Sequence, residues 1–151
     1  MAPSFATDAD IELAFAAAPS LLAPGEVGYR RQRERATDLV TADLARRWYR
    51  QEAARRGIDW RRQPLDPTRL EAAQLLGCCV HKTLALLFDA ARAVTPGSDG
   101  FERNAARCQE DYEAEVRRVI QEGVRYDWNA SGSVDGQDDV RPRRPLRLVR
   151  S

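Results

Sequence analysis

One stretch near the end of the chain carries oxygen-bearing side chains at the spacing of a calcium-binding loop. The candidate ligands fall on positions 1, 3, 5, 9 and 12 of such a loop: Asp127, Asn129, Ser131, Asp135 and Asp138. Oxygen ligands at alternate positions can wrap a hard cation, and a glycine at the sixth position, here Gly132, allows the sharp turn. The pattern therefore predicts a calcium site in this loop.

Two features weaken that calcium hypothesis. Asp138 stands where such loops place a bidentate glutamate, and its shorter side chain reaches the cation less well. Pro142 follows soon after and opposes a regular helix on the far side of the loop. The alternative is a solvated loop whose Asx side chains hydrogen-bond to their own backbone. The sequence leaves both interpretations open.

A second set of residues resembles part of a zinc site or of a nucleophilic pair. Cys78, Cys79 and His81 lie close together, and Cys108 follows later. On a helix, adjacent cysteines point to different faces, whereas structural zinc sites favour a CxxC spacing. A cysteine nucleophile also needs an orienting base beside it. We expect core cysteines and a histidine at the edge of a polar face.

Other catalytic patterns are missing from the sequence. Neither GxxxxGK[ST] nor GxGxxG occurs, so the glycine-rich loops that hold phosphates are not predicted. The carboxylates alternate with arginines along the chain, which is typical of solvated or interface-forming helix faces. We expect a protein that is not an enzyme and needs no cofactor.

The overall charge is nearly balanced. The 24 basic and 23 acidic residues give a formal net charge of +1, with Lys82 as the only lysine. A general nucleic-acid binder usually has a clear basic excess. Arginine forks fit carboxylates and suit protein interfaces, although a genome rich in G and C also favours arginine and alanine codons.

The chain lacks the features of a secreted or membrane-spanning protein. No basic region followed by an apolar run opens the sequence, and no stretch approaches the ~20 apolar residues that cross a bilayer. The three cysteines are odd in number, and the neighbours Cys78 and Cys79 have poor geometry for a disulfide. We expect a soluble protein made in a reducing cytoplasm.

Four helices account for most of the chain. A capping box between Thr7 and Asp10 predicts a short helix that ends before Pro19. A stripe formed by Ala36, Val40 and Leu44 predicts a long helix over about residues 26–56, stopped by Gly57.

The next two helices are also predicted from their boundaries and periodicity. Asp66 as N-cap and Pro67 at the first helical position predict the start of a third, most buried helix, which ends at residues 95–98. The fourth runs from about residue 98 or 99 to 122, with Gly123 as its stop. The fold class is all-α: a small bundle of three long helices and a short N-terminal one, with an extended C-terminal arm.

The last residues differ from the rest in composition. Residues 127–139 contain four aspartates and no basic residue, and residues 141–151 (RPRRPLRLVRS) contain five arginines and no acid. We therefore divide the chain into a helical domain, 1–126, and an acidic loop with an extended basic arm, 127–151. Pro142 and Pro145 oppose helix.

The arm alternates basic and apolar side chains, which suits strand addition onto a partner. Its candidate contact residues are Arg141, Arg143, Arg144, Leu146, Arg147, Leu148, Val149 and Arg150. The alternative is a terminus without a partner that carries a few incidental hydrophobic residues.

The order of these features resembles the head–tail connector (adaptor or head-completion) proteins of tailed bacteriophages and related gene transfer agents. The resemblance lies in TDADIE at 7–12, in ATDLVTADLARRWY at 36–49, in the helix opening at 65–76, and in Tyr112 with Glu115 in the last helix. The acidic loop at 127–139 and the basic C-terminal residues RPLRLVRS are similar as well. The resemblance covers nearly the whole chain and rests on loose motifs.

The resemblance implies a ring, typically of about twelve copies, docked beneath the portal protein in the neck of a virion. Such a ring extends the channel through which double-stranded DNA passes without sequence recognition, and it offers a surface to the next neck or tail protein. In that family the C-terminal segment commonly reaches along or into the portal. The protein would be made in the host bacterial cytoplasm.

Two other functions remain as alternatives. The first is a small helical nucleic-acid-binding or regulatory protein that contacts phosphates through its arginine-rich tail, with an affinity that falls as salt rises. No aromatic residue lies among those arginines, so the tail has no ring on which a base could stack. The second is a calcium-dependent, dockerin-like accessory module, which needs a second loop that the sequence does not contain.

Overall fold

The protein is all-α. A computed structural model describes residues 4–95, 97, 99–136 and 138. These described residues form five α-helices: α1 (Asp8–Ala14), α2 (Arg30–Leu44), α3 (Arg50–Arg55), α4 (Ala72–Val94) and α5 (Asp99–Glu122). Among the described residues there is no β-strand, only one isolated antiparallel bridge between Leu70 and Tyr126. None of the described helices is long and apolar enough to cross a membrane.

The predicted capping box at the start of the chain is confirmed. Thr7 accepts a hydrogen bond from the backbone N–H of Asp10, whose carboxylate accepts one from the N–H of Thr7. Helix α1 is shorter than predicted and ends at Ala14, because Phe15 turns away to pack on Phe88, with 5.3 Å between ring centroids. Pro19 lies in a separate 3-10 turn (Ala18–Leu21).

The predicted second helix begins later than residue 26 and contains an irregularity. Gly28 has φ +84°, and a Cβ there would lie 2.6 Å from the Asp8 carboxylate, so the chain turns before α2 starts at Arg30. A π-helical turn, Ala45–Tyr49, joins α2 to α3 in one continuous segment. π-Turns are rare and often mark functional positions. Gly57, with φ +75°, stops the segment as predicted.

The predicted start of the third helix is wrong by several residues. Asp66 does cap a helical turn, but it is a 3-10 turn (Pro67–Arg69), and α4 begins only at Ala72. The reason is a long-range contact: Leu70 leaves helical geometry to pair with Tyr126, and the N–H of Asp127 donates to the carbonyl of Arg69 over 2.9 Å.

Helix α4 is the centre of the core. It carries nine buried residues and packs against α2 on one side and α5 on the other. Helix α5 spans the predicted range, and Gly123 ends it with φ +100°. Polar bonds join α5 to α2 and its π-turn, since Tyr112 donates to Asp43 and Arg47 forms a 2.7 Å ion pair with Glu113.

Candidate functional site: the root of the C-terminal arm

After α5 the chain passes to the C-terminal end of the α2–α3 segment. The main chain of Arg125 and Asp127 pairs with that of Glu71 and Arg69, at N–O distances of 3.2 and 2.9 Å. The side chain of Gln74 adds bonds to Gly123 and Arg125 over 2.8 Å each. These bonds fix the path of the chain as it leaves the last helix. The described residues 126–136 and 138 are called the arm root below.

Four aromatic rings hold the arm root against the helices. The Trp128 ring stacks on the Tyr49 ring with 5.5 Å between ring centroids and an interplanar angle of 6°. It contacts the Tyr126 ring edge-on, with 4.8 Å between centroids. Trp48 lies 5.7 Å from Trp128 and 6.1 Å from Tyr126. Offset-stacked and edge-to-face pairs are favourable beyond the area that they bury. The cluster therefore joins the π-turn to the start of the predicted arm.

The buried hydroxyl of Tyr49 is paired within this cluster. It donates to the carbonyl of Gln63 over 2.7 Å, and burial raises the pKa of Tyr49 to about 12. The hydroxyl of Tyr126 accepts the N–H of Asp66. Tyr49 thus ties the loop between α3 and α4 to the π-turn, and Tyr126 ties the same loop to the arm root.

Arg56 clamps the end of the arm root. Its guanidinium lies 4.3 Å from the centroid of the Trp128 ring and donates to the carbonyl of Asp138 over 2.6 Å. The same guanidinium faces the buried carboxylate of Glu52 at 3.4 Å, and only 10% of the Arg56 side chain is exposed. A guanidinium that contacts an aromatic ring, a carboxylate and a carbonyl at the same time is held firmly in one position.

The predicted calcium ligands lie in this arm root, where their oxygens accept protein hydrogen bonds. Asp127 accepts the N–H groups of Ser131 and Gly132 at 3.0 and 2.8 Å. Asp138 accepts those of Trp128 and Asp135 at 2.7 and 2.8 Å. The two carboxylates are buried, at 4% and 3% exposure.

This pattern is that of the Asx-type turns given as the alternative to a calcium loop. In the described part of the chain, no three His, Cys, Asp or Glu residues are grouped as metal ligands. The side chain of Asn129 also accepts a hydrogen bond from the N–H of Ser131, at 3.0 Å. The backbone N–H of Asp135 donates to the carboxylate of Asp138. A calcium ion would have to replace several of these bonds, and calcium binding stays a prediction.

A calcium titration tests the loop. We expect 2 mM calcium, against 2 mM magnesium as the control, to change the melting temperature by less than about 1 °C, because the carboxylates already hold backbone donors. A calcium-specific rise of several degrees, absent from Asp127→Asn, would show that the loop is a cation site.

The cysteines and the histidine are core and edge residues of α4 and α5. Cys78 and Cys79 are buried, and the sulfur of Cys79 lies 3.6 Å from the Thr37 hydroxyl. Burial raises the pKa of Cys78 to about 12, so little of the reactive thiolate exists at neutral pH. His81 and Cys108 are half-buried.

The predicted contact residues of the arm, 141–151, lie outside the described residues. The predicted division of the chain after residue 126 falls inside the aromatic cluster, since Tyr126 and Trp128 stand on either side of it. The arm root was not predicted from the sequence. The signals that could have indicated it are the aromatic residues Trp48 and Tyr49 in the predicted second helix and Tyr126 and Trp128 after the predicted fourth helix.

No protein-family model, curated protein or solved structure matches this chain.

Proposed function

We propose that this protein is a head–tail connector subunit of a phage neck. Copies form a ring beneath the portal, extend the DNA channel and offer a surface to the next neck or tail protein. In this proposal the helices form a compact bundle around α4, and residues 139–151 form an extended arm that docks on the portal. The protein acts in the virion, at the interface between head and tail.

The observation that supports the proposal most is the clamped arm root. Asp138 is held by Arg56 and by three backbone N–H groups, those of Trp128, Asn129 and Asp135. The basic arm therefore starts from a fixed point at one end of the body. Such an anchor lowers the entropy lost when an arm binds a partner, because fewer residues must be ordered.

The arrangement of charge supports lateral contacts between copies. Exposed faces of α2 and α5 carry interspersed arginines and acids, of which several already pair within the chain, including Arg30 with Glu34 and Arg118 with Glu122. Neighbouring copies in a ring can exchange such pairs across their interface. Exposed pairs contribute little free energy each, so we expect the isolated protein to assemble only on the portal.

The alternative function is nucleic-acid binding through the same arm. Its five arginines could contact phosphates, and the affinity for duplex DNA would then fall steeply as salt rises. The experiment that separates the two functions measures binding to labelled duplex DNA and to a portal protein from the same genome, at about 50 and 200 mM salt. A connector joins the portal and binds free duplex weakly; tight, salt-sensitive duplex binding without portal binding supports the alternative.

A further inference from the structure

Charge is distributed unevenly along the chain. Residues 30–62, which contain α2, the π-turn and α3, carry eleven arginines and five acidic residues. Outside this segment, residues 1–29 and 63–140 together carry eight basic and eighteen acidic residues. The near-balanced net charge of +1 therefore combines a strongly basic helical segment with an acidic remainder before the arm.

Exposed arginines of this segment line one face of the helices. Between positions 31 and 54, seven residues that follow one another at a spacing of three or four are all exposed, which places them on one side of a helix. They are Arg31, Arg35, Asp38, Ala42, Arg46, Arg50 and Ala54. The four arginines are called the arginine ridge below. The ridge is about 28 Å long at 1.5 Å per residue.

Two arginines of the ridge lack a carboxylate partner. Arg31 and Arg35 form no ion pair with any described residue. Glu26 and Asp89 line a shallow pocket together with these arginines, but both carboxylates have other partners. Glu26 accepts a glutamine amide at 3.3 Å, and Asp89 lies 3.5 Å from Arg92. The two guanidinium groups are therefore open to an anion from outside the chain.

Carboxylates reduce the charge of the ridge only in part. Arg46 pairs with Asp43 over 2.9 Å, and 63% of the Arg46 side chain is exposed. Such an exposed ion pair is weak, so an anion from outside can compete for the guanidinium. Asp38 lies on the same face, but four arginines against this one acid leave the face basic.

Trp60 holds two guanidinium groups together at the end of the ridge. Those of Arg50 and Arg61 lie 4.6 and 5.1 Å from the centroid of its ring. Neither arginine forms an ion pair with a described carboxylate. Because guanidinium forks fit phosphate oxygens, the pair offers a phosphate group donors from two side chains at once.

A second copy of the chain offers a poor match to the ridge. The exposed face of α5 is mixed, since it is formed by Arg103, Arg107, Glu110, Asp111 and Arg117. In the arm root, the carboxylates of Asp127 and Asp138 are buried and already accept backbone N–H groups. The backbone of duplex DNA, in contrast, carries an unbroken row of negative charge, and one turn of it measures about 34 Å.

We propose that the arginine ridge, together with Arg61, binds the phosphate backbone of double-stranded DNA. The inference rests on the proposed function, in which DNA passes the ring, and it assigns the exposed face of α2 and α3 to the DNA side of each subunit. Phosphate contacts read no bases, which agrees with passage without sequence recognition. One subunit makes few contacts and binds duplex weakly, whereas a ring adds the contacts of its copies.

The salt dependence of duplex binding tests this assignment on the full-length protein. Fluorescence anisotropy with a labelled duplex, at about 25 to 150 mM salt, gives the slope of log affinity against log salt. We expect Arg31→Gln, Arg35→Gln and Arg50→Gln together to lower that slope by about 2 to 3, since each lost phosphate contact removes about one. Affinity at about 50 mM salt falls at least about tenfold.

A matched variant removes the same charge from another face. Arg103→Gln, Arg107→Gln and Arg117→Gln together change the mixed face of α5, and we expect the slope to fall by less than about 1. Arg31→Gln with Arg35→Gln alone should lower the slope by about 2. This pair keeps the test valid if loss of Arg50 from the Trp60 ring lowers stability.

Three results would overturn the assignment. Equal slopes for the ridge and α5 variants would show that net charge alone attracts DNA. Absence of duplex binding by the unmodified protein at about 25 mM salt would remove the ligand. A ridge variant that binds DNA normally but loses self-association in sedimentation would place the ridge against a second copy.

A portal-binding assay on the same variants tests the connector function separately. All of them keep the arm, so we expect each to join the portal as the unmodified protein does. Normal portal binding with an unchanged salt slope in the ridge variant would contradict only the DNA contact. A lower slope in the ridge variant, with no portal binding by any form of the protein, would contradict only the connector function.

Discussion

We expect deletion of residues 142–151 to abolish docking on the portal while the helical body stays folded. The deleted segment contains four of the arm's five arginines and its apolar residues Leu146, Leu148 and Val149. The deletion leaves Asp138 and its bonds to Arg56 and Trp128 in place, so the arm root keeps its contacts. Co-sedimentation with the portal measures docking, and circular dichroism measures the helical content and melting temperature.

The control for this deletion changes the charge alone. A variant with Arg141, Arg143, Arg144, Arg147 and Arg150 replaced by glutamine keeps the apolar residues, and we expect it to retain partial docking. Normal docking by the truncated chain would show that the arm is not the portal contact. A melting temperature lowered by more than a few degrees would show instead that the last ten residues belong to the folded body.

Replacing Trp128 with alanine has the largest expected effect on stability. The ring contacts Tyr49, Tyr126, Trp48 and the guanidinium of Arg56, and it is half-buried. Removing a large aromatic side chain from a core costs about 3 to 5 kcal/mol, and partial exposure places Trp128 at the lower end. For a chain of this size, we expect the melting temperature to fall by about 6 to 12 °C.

Trp60 provides a matched control for that substitution. It is also a half-buried tryptophan at the edge of the core, but among the described residues it forms no pair with another aromatic ring, and its ring lies 4.6 and 5.1 Å from the guanidinium groups of Arg50 and Arg61. Exposed cation–π contacts contribute about 0.5 to 1 kcal/mol. Trp60→Ala should therefore lower the melting temperature by only a few degrees. Equal losses in the two variants would contradict the role assigned to the aromatic cluster.

The same substitution connects stability to the proposed function. Without Trp128, Arg56 loses the ring beneath its guanidinium, and the clamp on Asp138 weakens. We therefore expect Trp128→Ala to bind the portal more weakly than Trp60→Ala, even at temperatures where both variants are folded.

Local signals in the sequence predicted the helix ends that depend on neighbouring residues. The Thr7–Asp10 capping box and the stops at Gly57 and Gly123 are formed within one turn, so residue type and spacing are sufficient. The central position of α4 could also be predicted, since its apolar residues repeat over six turns.

Long-range contacts account for the features that could not be predicted. Asp66 and Pro67 form a sound local start signal, but the pairing of Leu70 with Tyr126 holds the chain extended, and α4 starts after it. The bond between Arg56 and Asp138 joins residues 82 positions apart. No local pattern indicates such a partner, so Asp138 was interpreted as a metal ligand or a turn residue rather than as the end of a clamp.

The most direct test of the connector function is the mass of the purified protein with and without the portal, measured by native mass spectrometry or analytical ultracentrifugation. We predict a monomer that joins the portal as a ring of many copies, with a mass increase that is a whole multiple of 17.0 kDa. A stable monomer or dimer that ignores the portal and binds duplex DNA would contradict the proposal and favour the nucleic-acid-binding alternative.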